Sequence, residues 1–328
     1  MRVAIAGLGP IGSLIVRVLA EREDVSFVGA VDIDPRKIRK DLGIIAGLDK
    51  KLGVTVSGSW EDVIPKKPDI AILSTTSSFP LVADQAFPLL DVGIHVVTTC
   101  EEAVFPLKTF PEYVRQVDVI ARTGGAVFLG VGVNPGFMMD YWPSIASAVL
   151  PKVEKVQVER RVDLSKRRAR LQEKLGAGLK PEEVQSRVEQ RSIGHVGLSI
   201  SAYMLAHALG WEIEEWQEDF DILVASEPVP WHKGELEPGL VKGLRQTLTA
   251  KVDGEERIRL ILEMSLGIEN PGDTVEIEGP IPLKVRMDPI SGDWATASVV
   301  ANALPRVMEA PAGFRTLLEV APLRGRGV

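Results

Sequence analysis

The sequence lacks the patterns that crosslink secreted proteins, bind metals or contact nucleic acids. It contains one cysteine, Cys100, in 328 residues, which excludes an internal disulfide and fits a reducing compartment such as the cytoplasm. Cysteine and the four histidines show no metal-ligand spacing, so no metal site is expected. The net charge is −7, and no basic stretch is interleaved with aromatic residues, which argues against a nucleic-acid partner.

Long apolar runs are also missing. None approaches the roughly 20 residues that a membrane-spanning helix needs, so no contact with a membrane is expected. The chain enters an apolar run at once, which leaves no room for a signal peptide, and a cytoplasmic protein is expected. The remaining composition, 45% hydrophobic and 25% charged, is that of a globular protein. A chain of 328 residues is too long for one ordinary core and suggests two domains.

The first 32 residues carry the most informative motif. A short apolar run over residues 2–6 leads directly into G-L-G-P-I-G at residues 7–12, followed by apolar residues at helical spacing. A second apolar run ends in Asp32, twenty residues after Gly12. This order of strand, glycines, helix, strand and acid is typical of a Rossmann-type dinucleotide-binding unit. A tight turn in another kind of α/β domain is the alternative.

Each part of this motif has a physical role in binding a dinucleotide. Gly7 allows the tight turn, Gly9 lets the backbone approach a pyrophosphate, and Gly12 lets helix and strand pack closely. Asp32 can accept hydrogen bonds from both ribose hydroxyls and repels a 2′-phosphate, so NAD is expected. The four cations within residues 36–40 partly offset that repulsion and keep NADP as an alternative. The predicted cofactor residues here are Gly7, Gly9, Pro10, Ile11, Gly12 and Asp32.

Apolar runs alternate with helical segments through residue 133, which predicts a doubly wound parallel sheet. Residues 35–42 are expected to form one of its helices. Ligands of such sheets lie beyond the carboxyl ends of the strands. The loop at residues 74–78 follows a predicted strand and is rich in small hydroxyl residues, which would let the nicotinamide half of the cofactor come close. An ordinary polar turn is the alternative; the predicted cofactor residues are Ser74, Thr75 and Thr76.

Two adjacent acids, Glu101 and Glu102, follow the strand predicted at residues 94–97. Placing two carboxylates at the carboxyl end of a strand costs free energy unless they are exposed to solvent or take part in binding or catalysis. One of them could face the cofactor cleft, where a carboxylate holds an ammonium group or transfers a proton. Alternatively, both are solvated acids at a helix start, where the helix dipole favours them. Residue chemistry alone does not decide between these interpretations.

The break at Asn134-Pro135 marks the predicted change of domain. Residues 1–133 and 300–328 are assigned to the dinucleotide-binding domain, and residues 134–299 to an α+β domain for substrate binding and oligomerisation. An antiparallel sheet is expected in the second domain, followed by a helix that returns to the first.

Two features of the second half are candidates for ligand contact. The charged stretch at residues 163–179, with Arg167, Arg168 and Arg170, is either a solvated face or a site for a substrate carboxylate. His195 stands in G-H-V-G at a predicted helix start, where it contacts a ligand or caps its own backbone.

Taken together, these motifs resemble the 2,4-diaminopentanoate dehydrogenases and their close relatives, the native amine dehydrogenases. The resemblance runs nearly end to end and implies the dihydrodipicolinate-reductase-like architecture. It also implies that an amine and its carbonyl are interconverted through a nicotinamide cofactor, with release or uptake of ammonia. The His-His and Lys signature of true dihydrodipicolinate reductases is not visible, which argues against lysine biosynthesis. The motifs lie at residues 7–12, 98–102, 132–137, 167–178, 194–197 and 292–297.

The resemblance places the active-site acid on the glutamate pair, with Glu102 as the expected catalytic residue. The substrate contacts that it implies are Glu101, Phe137, Trp142, Arg168, His195 and Thr296, and Asn134 joins the cofactor set. The expected reaction is oxidative deamination of a 2,4-diamino acid or amine, reversible as reductive amination. The alternatives are a related oxidoreductase acting on an aldehyde or hydroxy acid, and an NAD(H)-binding sensor without turnover. A homodimer is expected from the exposed sheet of the second domain.

Overall fold

The computed structural model describes residues 1–167, 169–320 and 322–325. The chain divides into two units, Met1–Phe137 with Ser291–Val328, and Met138–Ile290. Both boundaries differ from those expected, because residues 134–137 and 291–299 belong to the first unit. The second difference arises because one continuous helix, Gly292–Glu309, begins at the boundary and lies wholly in the first unit.

Strands and helices are numbered separately in chain order. The strands are β1 (Arg2–Ala6), β2 (Ser26–Val31), β3 (Val56–Ser57), β4 (Ile70–Leu73), β5 (His95–Thr98), β6 (Val127–Gly130), β7 (Lys155–Asp163), β8 (Glu215–Val224), β9 (Val229–Trp231), β10 (Gly234–Leu236), β11 (Val241–Val252), β12 (Glu255–Ser265), β13 (Gly272–Glu278), β14 (Leu283–Met287) and β15 (Gly313–Arg315). The α-helices are α1 (Pro10–Ala20), α2 (Leu42–Ala46), α3 (Phe79–Asp91), α4 (Pro111–Gly124), α5 (Tyr141–Ala146), α6 (Ala169–Lys174), α7 (Pro181–Glu189), α8 (Leu198–Ala208) and α9 (Gly292–Glu309).

The first unit is built on a parallel sheet with the strand order β15-β6-β5-β4-β1-β2-β3. Strands β4 and β6 are buried along their whole length, as expected for strands covered on both faces. Phe79 of α3 packs against Phe128 and Phe314, which ties the last strand into the core. The sheet confirms the predicted Rossmann-type fold. The chain leaves β1 towards β2 on one side and later returns to β4 on the other, so a topological switch point lies between β1 and β4.

The second unit contains a sheet with the order β14-β13-β7-β12-β11-β8. It is mixed and not wholly antiparallel, because β7 and β12 run in parallel. Side chains on one face of β7, at residues 156, 158 and 160, are buried, whereas those at 155, 157, 159 and 161 are half-exposed. One face of the sheet therefore carries the core of this unit.

The helix predicted at residues 35–42 is wrong. Residues 35–40 form successive turns, and Arg39 has a φ of 66°, a left-handed conformation that an α-helix does not continue through. The helix begins instead at Leu42, where the Asp41 side chain accepts a hydrogen bond from Gly43 N. Among the described residues no helix is long and apolar enough to span a membrane.

Candidate active site

The glycine turn after β1 distinguishes positions that the fold requires from one that it leaves open. Gly7 has a φ of 83°, and a Cβ there would overlap the Ser74 carbonyl group. A Cβ on Gly12 would overlap the Gly7 carbonyl oxygen. A Cβ on Gly9 would meet nothing within 4 Å. Gly7 and Gly12 are thus needed for the protein's own packing, whereas the space at Gly9 suits the close approach of a ligand.

Helix α1 begins directly after this turn. Gly9 is its N-cap, no side chain of the described residues caps its N-terminus, and Pro10 occupies the first helical position. The first N–H groups of an α-helix have no partner within the helix. Together with the positive end of the helix dipole, they suit the phosphates of a dinucleotide at Ile11 and Gly12.

Asp32 lies at the end of β2 and is buried, with 7% of its surface exposed. Its Oδ2 accepts hydrogen bonds from Leu8 N and Lys37 Nζ, both at 2.8 Å, and its Oδ1 accepts one from Asp34 N at 2.8 Å. Burial on its own would raise the pKa of Asp32. The hydrogen bonds from Lys37, Asp34 and Leu8 outweigh that effect and hold the pKa below its usual value. Asp32 is therefore an anionic hydrogen-bond acceptor at neutral pH.

Only part of the nearby positive charge acts on Asp32. Lys37 forms the ion pair with it, whereas Arg36 pairs with Asp34 at 2.8 Å. The Arg36 guanidinium lowers the pKa of Asp34 to about 2. Two of the four cations expected to favour a 2′-phosphate are thus paired with acids.

The hydroxyl-rich loop at residues 74–78 follows β4, next to the end of β1. Ser74 N donates a hydrogen bond to Ala6 O at 2.9 Å, which fixes the loop beside the glycine turn. Thr99 Oγ1 donates to Ser74 Oγ at 3.2 Å, and Thr75 Oγ1 donates to Gln85 Oε1 at 2.7 Å. Residues 74–76 and the glycine turn therefore lie together at the switch point of the sheet, where dinucleotides bind in such folds.

The two adjacent glutamates lie in a short 3₁₀ helix, Glu101–Ala103, after β5. Glu102 Oε2 accepts a hydrogen bond at 2.8 Å from Phe79 N, the first residue of α3. Glu102 N also donates to Ser77 O at 3.4 Å, so this residue is held against the hydroxyl-rich loop. The Glu101 carboxylate has no hydrogen-bond or ion-pair partner among the described residues. The neighbours thus differ, because the Glu102 carboxylate is held by a hydrogen bond and the Glu101 carboxylate is not.

Three further predicted residues belong to the first unit. Asn134 Oδ1 is buried without a hydrogen-bond partner among the described residues, so an acceptor is left for a donor such as a carboxamide. Phe137 is half-buried at the end of the first segment of the unit. Thr296 Oγ1 donates to Gly292 O within α9 at 2.8 Å.

Trp142 and His195 belong to the second unit. Trp142 lies in α5, and its buried Nε1 has no hydrogen-bond partner within the described part of the chain. His195 precedes α8, which begins at Leu198, so the predicted helix start at residue 194 is wrong. Gly194 and Gly197 have φ values of 113° and 127°, which place His195 in a loop. Arg168 lies outside the described residues.

The backbone of His195 is held at two points by one side chain. Gln246 Oε1 accepts from His195 N at 2.9 Å, and Gln246 Nε2 donates to His195 O at 3.0 Å. Gln246 Nε2 also donates to Glu218 Oε1 at 2.7 Å. Gln246 is 4% exposed, so this clamp on the His195 loop is inside the protein.

The imidazole of His195 is neutral at physiological pH. Burial, together with the positive charges of Lys174, Arg160 and Arg167, lowers its pKa to about 4. Its Nδ1 is buried and has no hydrogen-bond partner among the residues described. A neutral imidazole with an unused nitrogen can donate to or accept from a ligand.

The sequence did not single out Arg160, Asp273 or Gln246, although all three are buried polar residues of the second unit. The alternation of β7 was the available signal. Val156 and Val158 lie on its buried face, so Arg160, two residues later, faces the same way.

Family models match both halves of the chain. Residues 137–325 match the model described as 2,4-diaminopentanoate dehydrogenase C-terminal domain. The chain belongs to that family. Residues 1–99 match the model of the dihydrodipicolinate reductase N-terminus, in agreement with the parallel sheet of the first unit.

Similar proteins support the family resemblance that the sequence motifs predicted. The chain is 26% identical to the 2,4-diaminopentanoate dehydrogenase of Acetoanaerobium sticklandii, over 98% of this chain and 93% of that protein. It is 23% identical to an amine dehydrogenase of Streptomyces virginiae, over 77% and 71% of the two chains. The solved amine dehydrogenase of Mycobacterium smegmatis has the same fold, with a TM-score of 0.86, 22% identity, and coverage of 99% and 97%.

Proposed function

We propose that this protein is an NAD(P)-dependent dehydrogenase that oxidises the C4 amine of a 2,4-diamino acid. The amine, water and the oxidised cofactor give a ketone, ammonia and the reduced cofactor, and reductive amination is the reverse reaction. The observation that supports this most is the position of Glu102. Its carboxylate is held beside the loop at residues 74–78 in a unit with a dinucleotide-binding turn, in a chain of the 2,4-diaminopentanoate dehydrogenase family.

The residues of the first unit fit a nicotinamide dinucleotide. The open space at Gly9 and the N-terminus of α1 suit the pyrophosphate, and ionised Asp32 suits the ribose hydroxyls. The unused Asn134 Oδ1 suits the carboxamide of the nicotinamide. NAD is the preferred cofactor in this proposal, because Asp32 is anionic and would repel a 2′-phosphate.

A bound nicotinamide would supply the acceptor for the hydride that leaves the carbon carrying the amine. Glu102 carries out the proton transfers that the substrate requires before and after the hydride transfer. Its carboxylate takes a proton from the ammonium group, which frees the nitrogen lone pair, and passes that proton on to solvent. Once it is ionised again, the carboxylate stabilises the positive iminium. It finally activates the water that adds to the iminium. The bond from Phe79 N to Oε2 fixes the side chain and leaves Oε1 for these tasks.

A screen of cofactor reduction over four substrate classes tests this proposal. The classes are 2,4-diamino acids, simple amines, α-amino acids and hydroxy acids, each with NAD⁺ and NADP⁺. We expect the highest kcat/KM with a 2,4-diamino acid and NAD⁺, and weaker turnover of simple amines. Turnover of hydroxy acids alone would assign a different oxidoreductase. Cofactor binding without any turnover would assign a sensor.

We also propose that the protein is a cytoplasmic homodimer. The half-exposed face of the second-unit sheet carries charged residues of both signs. Among them are the ion pairs of Lys155 with Glu256 at 2.7 Å and of Arg161 with Glu263 at 3.7 Å. A face with charges of both signs can meet a second copy of itself across a two-fold axis, provided that residues of opposite sign face each other there. Sedimentation equilibrium tests this point: a mass of 35.7 kDa would mean a monomer.

A further inference from the structure

The His195 loop, residues 194–197, lies against two neighbouring strands of the second-unit sheet. Gln246 of β11 is paired in register with Phe220 of β8. A Cβ on Gly194 would lie 2.8 Å from Phe220 Cε1 and 3.4 Å from Gln246 Oε1. Since Gly194 also has a φ of 113°, which other residues rarely adopt, the loop needs glycine for this close approach. The backbone therefore contacts the sheet one residue before His195.

Both N–H groups of the Gln246 amide are used within the protein. The backbone N–H of His195 can only donate and its carbonyl oxygen can only accept, so the two bonds to Gln246 allow one orientation of the amide. The remaining N–H of Nε2 donates to Glu218 Oε1 at 2.7 Å. Gln246 therefore has no N–H left for a ligand, and its hydrogen bonds act on a ligand through the residue that it holds.

Glu218 holds the Gln246 side chain in turn. Glu218 lies on β8 and is paired with Leu248, two residues after Gln246 on β11. Side chains two residues apart in a strand share a face, so Glu218 and Gln246 lie on the side of the sheet that carries the His195 loop. A polar side chain that is bonded at both ends keeps one conformation, as the residues that support a binding site must.

The imidazole that this arrangement presents has an unused nitrogen. His195 Nδ1 is buried and has no hydrogen-bond partner in the described part of the chain. Most buried polar side-chain atoms are bonded, so such an atom suits contact with a ligand. We propose that Gln246, oriented by Glu218, is a positioning residue that fixes the backbone of His195 so that its imidazole contacts the substrate. The identity of the substrate as an amine rests on the proposed function.

A double-mutant cycle on kcat/KM tests whether Gln246 acts through His195. Gln246→Met has a similar length and removes both bonds to the His195 backbone without adding a charge. It should lower kcat/KM for 2,4-diaminopentanoate by about tenfold, because a small misplacement of a contacting group is costly. His195→Ala removes the imidazole and keeps the backbone N–H and C=O. In that background Gln246→Met should change kcat/KM by less than about twofold, which is the usual deviation from additivity.

Imidazole NMR with isotope-labelled histidine measures the same effect without turnover. The chain has four histidines, and the signal of His195 is the one lost in His195→Ala. In the wild type, burial and the charges of nearby cations lower the pKa of His195 to about 4. Release of the loop reduces that burial, so in Gln246→Met the pKa of His195 should rise towards its ordinary value of 6.5. The other three histidines should titrate as in the wild type.

Gln217→Met is the matched control. Gln217 precedes Glu218 on β8, is exposed, and donates from Nε2 to Asp219 Oδ1 at 2.8 Å. The control loses a side-chain amide and its hydrogen bond from the same sheet, but should leave kcat/KM and the pKa of His195 unchanged. Gln246→Asn covers the case in which Gln246→Met does not fold. It keeps a polar amide of no charge but is one methylene shorter, so it should release the loop and give the same two results.

Three results would overturn the role of Gln246 and leave the proposed function intact. One is an unchanged kcat/KM in a folded Gln246 variant. Another is a fall in kcat/KM that is as large in the His195→Ala background as in the wild type, and the third is an unchanged pKa of His195. A protein that oxidises no amine would contradict the proposed function. In that case, a rise in the pKa of His195 that is confined to the Gln246 variants would still support the positioning role.

Discussion

Adjacent residues of the same type differ in this protein because of contacts made far away in the chain. Glu101 and Glu102 have the same chemistry, yet Glu102 alone receives the Phe79 N–H from the start of α3. The sequence predicts that an acid is used at this strand end, but not which one, because the orientation depends on a residue 23 positions earlier. Arg160 was not singled out for a similar reason, since its burial depends on the strands β12 and β13 that pair with β7 on either side.

Replacing Glu102 should impair chemistry more than cofactor binding. Glu102→Gln keeps the shape and an oxygen that can accept from Phe79 N, but it removes the base and the negative charge. We expect turnover to fall roughly a hundredfold or more, in the range typical of general acid–base catalysis. The affinity for NADH, measured by fluorescence titration, should change little.

Glu101→Gln is the matched control for that experiment. It removes the same charge at the neighbouring position, where the carboxylate has no partner among the described residues. We expect a smaller effect, seen mainly in KM. If Glu101→Gln abolishes turnover while Glu102→Gln remains active, the catalytic role belongs to Glu101.

The low pKa of His195 predicts a specific acid sensitivity. The pKa is about 4 in the folded protein against an ordinary value of 6.5, so between these values the unfolded chain binds more protons. Stability should therefore decrease as the pH falls from about 6.5 towards 4. His195→Asn removes this contribution, so its melting temperature should fall less over that interval than that of the wild type. Parallel curves for the two proteins would mean that His195 titrates normally in the folded state.

Asp32 should determine the choice between NAD and NADP. Asp32→Ser combined with Ile33→Arg removes the anion and adds a cation, and Ile33 is 91% exposed, so the longer side chain meets no obstacle. The ratio of kcat/KM for NADP⁺ to that for NAD⁺ should rise in this variant. Lys37→Ala is a useful comparison, because it removes the cation paired with Asp32 and should shift the ratio further towards NAD⁺. A wild-type protein that prefers NADP⁺ contradicts this role of Asp32.

At the scale of elements, the glycine turn and α1 form the part of the molecule that the sequence predicts best. Strand, turn, helix and Asp32 follow each other locally, so spacing alone determines how they are arranged. Elements that depend on distant pairing were predicted less well. The parallel pairing of β7 with β12 cannot be seen in either strand. The turns at residues 35–40 are held by backbone hydrogen bonds to Val56 of β3, in which Arg39 N donates to Val56 O and Val56 N donates to Lys40 O, both at 2.9 Å.

Two alanine substitutions in this turn should affect different properties, one the affinity for NAD(H) and the other the stability of the protein. Gly9 has φ and ψ of −71° and −170°, which alanine adopts readily, and the space around it is open. Gly9→Ala should therefore keep the wild-type melting temperature but weaken NAD(H) binding by roughly tenfold, equivalent to about 1.4 kcal/mol.

Gly12→Ala should instead lower the stability of the protein by about 1–3 kcal/mol, because the new Cβ overlaps the Gly7 carbonyl oxygen. Thermal unfolding and calorimetric titration of the two variants distinguish the effects. Destabilisation of Gly9→Ala, or unchanged NAD(H) affinity, would argue against a ligand at that position.

At the scale of the whole molecule, the order of elements indicated two units and a return of the chain to the first. The return was recognised because an apolar helix follows the strands of the second half, and α9 with β15 does rejoin the first unit. The boundaries were less predictable, since a loop such as residues 134–137 can belong to either side. Family membership was visible in the sequence because the motifs recur in a fixed order, whereas the buried charges of the second unit appear only once its sheet is assembled.

The measurement that tests the central claim most directly is the product balance with 2,4-diaminopentanoate and NAD⁺. Oxidation of a primary amine to a ketone must release one ammonia for each NADH formed. We predict equal amounts of both, determined from the absorbance of NADH and an independent ammonia assay on the same sample. NADH formed without ammonia, or no NADH from any amine, would contradict the assignment of this protein as an amine dehydrogenase.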